Sequence, residues 1–176
     1  MSSLPGVEVS QHHGSVQAEA DNEQFDTFDA AYTPLGPKQR GEVHAKGIWH
    51  QAVHVLVFNS AGQLLLQQRS QGKRVCPGSW DLSCAEHLSQ GESFHQAAEY
   101  PDIGIRDYEF VQTWQLDAYD GPLCFNAHEV SAVRWSAVEE VCEQQQREPH
   151  AFTPWFTAEL QRIATSSCNR EAIKKP

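Results

Sequence analysis

Residues 52–58 read AVHVLVF, residues 59–62 read NSAG, and residues 63–69 read QLLLQQR. The first run is short and rich in valine, which suits a strand. Side chains alternate along a strand, so Val53, Val55 and Val57 share one face. Asn59 and Gly62 bracket a tight turn, and the leucine run returns from it. A strand–turn–strand unit of this kind commits the chain to a sheet. Arg69 and Lys73 stand four apart where the returning strand ends.

The next stretch, residues 77–98, reads PGSWDLSCAEHLSQGESFHQAA. A Pro-Gly turn leads into a short strand over residues 80–85. Glu86 and His87 follow in a predicted loop, and Gly91 with Glu92 opens a predicted helix over residues 93–99. Acid and imidazole gathered at such a junction suit a metal site, and they equally suit a solvated loop. Pro101 stops that helix after about two turns.

Residues 108–119 alternate in a way that predicts a long strand, and Asp120-Gly-Pro122 turns it. Residues 123–127 and 130–135 make two more strands. Ser136-Ala-Val-Glu139 reads as a capping box opening a helix towards Gln146. Thr153-Pro154 is a cap with proline at the first helical position, opening a last helix to about Ala164. Strands come first, then strand and helix mixed, then helices, so the fold class is α+β and layered.

With 176 residues the chain can bury one substantial core. Hydrophobic residues make up 40% and charged residues 20%, the balance of a soluble globular domain. A formal net charge of -10 argues against a nucleic-acid surface or an anionic-membrane surface, though a local Arg/Lys pair or a metal still admits an anionic ligand. No run is long and apolar enough to span a bilayer. The five cysteines have no C-x-x-C spacing and read as free thiols of a reducing compartment. Residues 1–34 are expected to be a disordered acidic tail, residues 35–165 the domain, and residues 166–176 a fraying C-terminal tail. That leading tail lacks the basic start and apolar run of a signal peptide, and the expected location is cytoplasmic.

Taken in order, GIWHQAVHVLVFNSAGQLLLQQRS, Lys73, PGSWDLS, EHL, GES, EVSAVRW and FTPWF resemble the Nudix superfamily. The likeness is to the branch that holds isopentenyl-diphosphate isomerases and their hydrolase relatives, and it covers residues 39–163. It implies an α/β/α sandwich with a central mixed sheet, and Mg²⁺ or Mn²⁺ chemistry on a diphosphate-containing small molecule. It implies His50, His87, Glu92, Asp107 and Glu109 as metal ligands, with Glu92 and Glu109 also catalytic. Arg69 and Lys73 would bind the diphosphate, and Trp155 would supply an aromatic face to the substrate. His44 lies near, but not at, the place of a further family histidine.

Departures from the family pattern are specific. Glu86 stands where the first glycine of the Nudix box is expected. The Arg-Glu-x-x-Glu-Glu core is replaced by EYPDIGI over residues 99–105, leaving Glu99 and Asp102 with Pro101 between them. Part of the Nudix helix and one strand are expected to be missing, as in a truncated isoform, with impaired activity. The place of the isomerase thiol is held by Ala85; Cys84 is one step away and points to the other face. Three readings follow: a Nudix-type hydrolase, an isopentenyl-diphosphate isomerase-like enzyme, and an inactive binding module. Nothing in the sequence sets the oligomeric state.

Overall fold

The computed structural model describes residues 8–12, 20–92, 98–99 and 108–173. It opens with β1 (Val9–His12), then a hairpin of β2 (Gln24–Phe28) and β3 (Pro34–Gln39), which runs directly into α1 (Arg40–Lys46). The central strands are β4 (His50–Val57), β5 (Leu64–Arg69), β6 (Trp80–Asp81) and β7 (Cys84–His87). Next come β8 (Ala98–Glu99), β9 (Tyr108–Leu116), β10 (Leu123–Asn126) and β11 (Val130–Ser136). Two longer helices, α2 (Val138–Arg147) and α3 (Pro154–Ile173), complete the order.

The α+β architecture is as expected, and its central sheet is mixed. That sheet has the order β7-β4-β9-β8, with β4 and β9 parallel and the outer pairs antiparallel. A second sheet, β11-β5-β6, is antiparallel throughout. Leu64 and Leu66 of β5 enter one core with Leu56, Leu82, Val141, Phe156 and Leu160. Leu65 enters another with Leu123, Val130 and Val133. Three successive leucines thus feed two cores, because a strand presents alternate side chains to opposite faces.

The turn at residues 59–62 is present. Gly62 N–H donates to Asn59 O at 2.9 Å, and Gly62 takes a φ of 74°, which its missing Cβ allows. Beyond the Phe58–Leu64 bridge the two strands part into different sheets. Ser83 occupies the fork: its hydroxyl accepts from Val57 N–H and donates to Leu65 O. Thr153 caps α3 as predicted, its hydroxyl accepting from Phe156 N–H.

Several boundaries differ from the sequence reading. Residues 24–34, assigned to the acidic tail, hold β2 and the first residue of β3, and Phe25 is fully buried. Two phenylalanines three apart suffice to anchor this hairpin once a partner surface exists. Glu86 and His87 lie in β7 and not in a loop. Ala98–Glu99, expected to be helical, pairs with β9 as a strand. The rest of the shortened Nudix box, residues 93–97 and 100–107, lies outside the described residues, and so does the proposed loss of helix and strand. Ser136 ends β11 and caps nothing; the N-cap of α2 is Ala137, without a side-chain bond. β9 stops at Leu116, and α3 continues to Ile173, well beyond Ala164. Trp114 of β9 is 56% exposed.

Candidate metal and diphosphate site

Register builds the site. Parallel pairing sets His50 of β4 opposite Glu109 of β9, and antiparallel pairing sets His87 of β7 opposite Ala52. These residues share the face of β4 that carries His50, Ala52, His54 and Leu56. Val53, Val55 and Val57 occupy the other face, as the alternation predicts. His44 arrives from α1. Gly47 terminates that helix in the left-handed conformation, φ 60°, with its N–H bonded to Val43 O. The chain turns there and enters β4 at His50, which brings the His44 ring within 5.3 Å of the His50 ring.

Ligand atoms of His44, His50 and His87 lie within 4.8 Å of one another. Glu109 Oε1 sits 2.9 Å from His87 Nε2 and 3.7 Å from His50 Nε2. Phe25 stacks on His50, with ring centroids 5.4 Å apart, and packs on His87 at 4.9 Å. It forms the apolar wall of the cluster. His50 Nδ1 lies 3.0 Å from Ile48 O. That bond assigns the proton to Nδ1 and turns Nε2 towards Glu109. Burial, reinforced by repulsion from His87, lowers the pKa of His50 to about 3. Its imidazole is therefore neutral at ordinary pH, the form that binds metal.

Three imidazoles and a carboxylate fit a first-row transition ion. They suit Mg²⁺ poorly, since it prefers an all-oxygen shell. Of the two expected ions, Mn²⁺ matches this donor set better.

The cluster opens into a cavity of about 960 Å³. Arg69, Lys73, Arg40 and Arg74 contribute positive charge to its wall, and Trp155 an indole. Each cation has a carboxylate partner: Arg69 with Asp81 at 3.2 Å, Lys73 with Glu129 at 2.5 Å, Arg40 with Glu23 at 2.9 Å, and Arg74 with Asp21. Asp81 is fully buried. Its Oδ1 accepts from Leu82 N–H, the Thr153 hydroxyl and Trp155 Nε1, while Oδ2 accepts from Arg69. Arg69 lies 5.3 Å from the Trp155 ring centroid. One buried carboxylate thus fixes both Arg69 and Trp155.

The sequence-predicted residues divide clearly. His50, His87 and Glu109 converge, while Arg69, Lys73 and Trp155 line the same cavity. Glu92 does not join them: it is exposed in the turn after β7, and its carboxylate accepts from Ser89 N–H. A turn-closing role explains the acid there. Asp107 lies outside the described residues. His44 is a full member of the cluster although its spacing to His50 is not the family's. The Gly47 stop was the available signal. Ala85 pairs with His54 and lines the cavity, whereas Cys84 pairs with Val55 on the reverse face. Burial pushes the Cys84 thiol up to about 11, so it stays protonated.

Comparisons with known proteins identify the family. The NUDIX domain family matches residues 48–99. The chain is 32% identical over 152 residues to the isopentenyl-diphosphate Delta-isomerase of Pectobacterium atrosepticum, covering 74% of this chain and 85% of that one. It is 47% identical over 166 residues to Nudix hydrolase 3 of Arabidopsis thaliana, covering 76% of this chain but 22% of that longer protein. The fold resembles the crystal structure of DR0079 from Deinococcus radiodurans, with a TM-score of 0.64 at 18% identity. That match covers 80% of this chain and 98% of the other. The chain belongs to the Nudix superfamily, in its isopentenyl-diphosphate isomerase-like branch.

Proposed function

We propose that this protein is a metal-dependent hydrolase of a diphosphate-containing small molecule. The observation that carries the reading is the convergence of His44, His50, His87 and Glu109 on a cavity that Arg69 and Lys73 also line. When bound, a divalent ion there supplies charge neutralisation to phosphoryl oxygens and makes water more acidic. Arg69 offers a planar, pre-positioned guanidinium to the diphosphate. Lys73 offers a point charge, released from Glu129 as the anion enters. Trp155 lines the cavity beside Arg69, where it limits water and packs against the organic part of the substrate. Glu109, bonded to His87, keeps that ring's Nε2 directed at the cluster.

Hydrolysis is favoured over isomerisation by Ala85, which stands where the isomerase resemblance requires a thiol. The shortened acidic segment at residues 99–105 removes carboxylates that would otherwise help hold metal, so turnover is expected to be low. We place the reaction in the cytoplasm. The described cysteines, Cys76, Cys84, Cys124 and Cys142, are all free thiols, which fits a reducing compartment. The acidic net charge supports a small-molecule partner over nucleic acid. Among the described residues no helix is long and apolar enough to cross a membrane.

The test is release of monophosphate products from isopentenyl, nucleoside and thiamine diphosphates with excess Mn²⁺. Release that Glu109→Gln abolishes supports the proposal. Formation of allylic diphosphate from isopentenyl diphosphate would favour the isomerase. A folded protein inert towards the whole panel would be a binding module.

A further inference from the structure

We propose that Arg74 is a further anion-binding residue of the cavity, that Asp21 competes with substrate for it, and that the pair fits the site to diphosphates carrying a third anionic group. This rests on the hydrolase reading above and names a substrate class within it.

Three cations form a graded series along one stretch of chain. Arg69 ends β5, Lys73 and Arg74 follow in the loop after it, and all three line the cavity. The side chains of Arg69 and Lys73 are each 11% exposed, and that of Arg74 is 57% exposed. The series therefore runs from the interior of the cavity to its mouth. Their carboxylate partners follow the same gradient: Asp81 is fully buried, the Glu129 side chain is 28% exposed, and that of Asp21 is 61% exposed.

That gradient separates a fixed partner from a displaceable one. A buried carboxylate keeps its cation, because leaving either charge unpaired in the interior is costly. A carboxylate in water holds its cation weakly and yields to a stronger anion. Asp81 thus anchors Arg69, whereas Asp21 can give Arg74 up. A phosphate group accepts from a guanidinium in the same forked geometry as a carboxylate, so it can replace Asp21 on Arg74 directly. The two inner cations match the two phosphates of a diphosphate. Arg74 is left for a third group, a phosphate or a carboxylate, at the mouth.

Asp21 is held at the mouth by its main chain. Its carbonyl accepts from Gly41 N–H at 3.2 Å, and the Glu23 carbonyl accepts from Arg40 N–H at 2.8 Å. Both bonds tie the segment to the first turn of α1. A Cβ on residue 41 would stand 3.3 Å from Asp21 Oδ1, so glycine there lets the carboxylate lie close to the helix. Because these bonds use the backbone, the Asp21 side chain can turn from Arg74 to solvent with the segment still in place. The hydrogen bond from Arg74, and then the charges of Arg74, Arg40 and His44, hold the Asp21 carboxyl below its ordinary range against the opposing pull of desolvation. Asp21 therefore occupies a place that favours negative charge.

Calorimetry tests this on protein with Mn²⁺ in excess and two hydrolysis-resistant probes, imidodiphosphate with two phosphate groups and diimidotriphosphate with three. The parent is expected to bind the longer probe about threefold more tightly. Asp21→Asn is expected to tighten the longer probe a further fivefold or so, about the upper end for an exposed ion pair, and to change the shorter one by less than about twofold. Arg74→Gln is expected to bring the two affinities together by weakening the longer probe alone. In the Arg74→Gln background, Asp21→Asn is expected to change nothing, because the acid acts only through that guanidinium. Both side chains are more than half exposed, so neither substitution disturbs the core. A preference for the longer probe that survives Arg74→Gln overturns the proposal. So does tightening by Asp21→Asn that persists in the double variant, which is long-range charge and not competition for one residue. A parent that binds neither probe defeats the hydrolase reading together with this one; a parent that binds imidodiphosphate, with a discrimination that both substitutions leave unchanged, defeats this one alone.

Discussion

His50 is a residue whose burial has a cost that pH reveals. Its imidazole is held neutral in the fold, with a pKa of about 3 against 6.5 for an ordinary histidine. An unfolded chain therefore binds a proton at His50 that the folded chain refuses. Stability from this source is complete above about pH 6.5 and is lost as pH falls towards 3. In chelator-treated protein the urea midpoint should fall across that window, and His50→Gln should flatten the decline. An equally steep decline in the variant would contradict the assignment. Asp81 tests a different kind of burial. Asp81→Asn leaves the Arg69 guanidinium buried without that counter-charge, and breaking such a pair costs about 3 kcal/mol or more. Denaturant melts should show this loss, and KM should rise as Arg69 and Trp155 lose their shared anchor. Cys84 is the negative control: on the reverse face, with its thiol protonated, Cys84→Ser should leave turnover unchanged.

The elements that place these residues are short, and each depends on one local feature. Gly47→Ala puts a Cβ on a residue at φ 60°, which costs about 1 kcal/mol and strains the turn from α1 into β4. The variant should melt slightly earlier and bind Mn²⁺ more weakly, because His44 is carried by that turn. The hairpin of β2 and β3 makes the opposite point about legibility. Its Phe25 walls the histidine cluster, yet its residues are polar enough to read as a tail. Nothing local to residues 24–28 announces a partner surface; the burial comes from rings supplied by α1, β4 and β7. Deleting residues 1–34 should accordingly abolish Mn²⁺ binding, and full retention of binding would show that the hairpin is dispensable. By contrast, β4, its turn and β5 were legible, because valine alternation and the Asn59–Gly62 turn are local signals. The divergence of β4 and β5 into two sheets was not, since it depends on the Ser83 hydroxyl arriving from a distant turn.

At the scale of the molecule, the site is assembled from α1, β4, β7 and β9, four separate pieces of chain. Family resemblance proposed His50, His87, Glu109 and Glu92; the fold brings the first three together, while Glu92 lies in a turn. The contact between His54 and Glu159 spans 105 residues, and no local sequence pattern announces it. A ligand that binds only the folded state stabilises by mass action, about 2.7 kcal/mol at a hundred times its Kd. Divalent metal should therefore couple these four pieces and raise the melting temperature of the whole domain in a concentration-dependent way.

Calorimetric titration of Mn²⁺ into chelator-treated protein, parent against His87→Ala, bears most directly on the claim that imidazoles and one carboxylate from distant strands hold a single ion. The parent should take up one equivalent, and the variant should take up none over the same concentrations. Equal uptake by both would place any bound ion elsewhere and contradict the account.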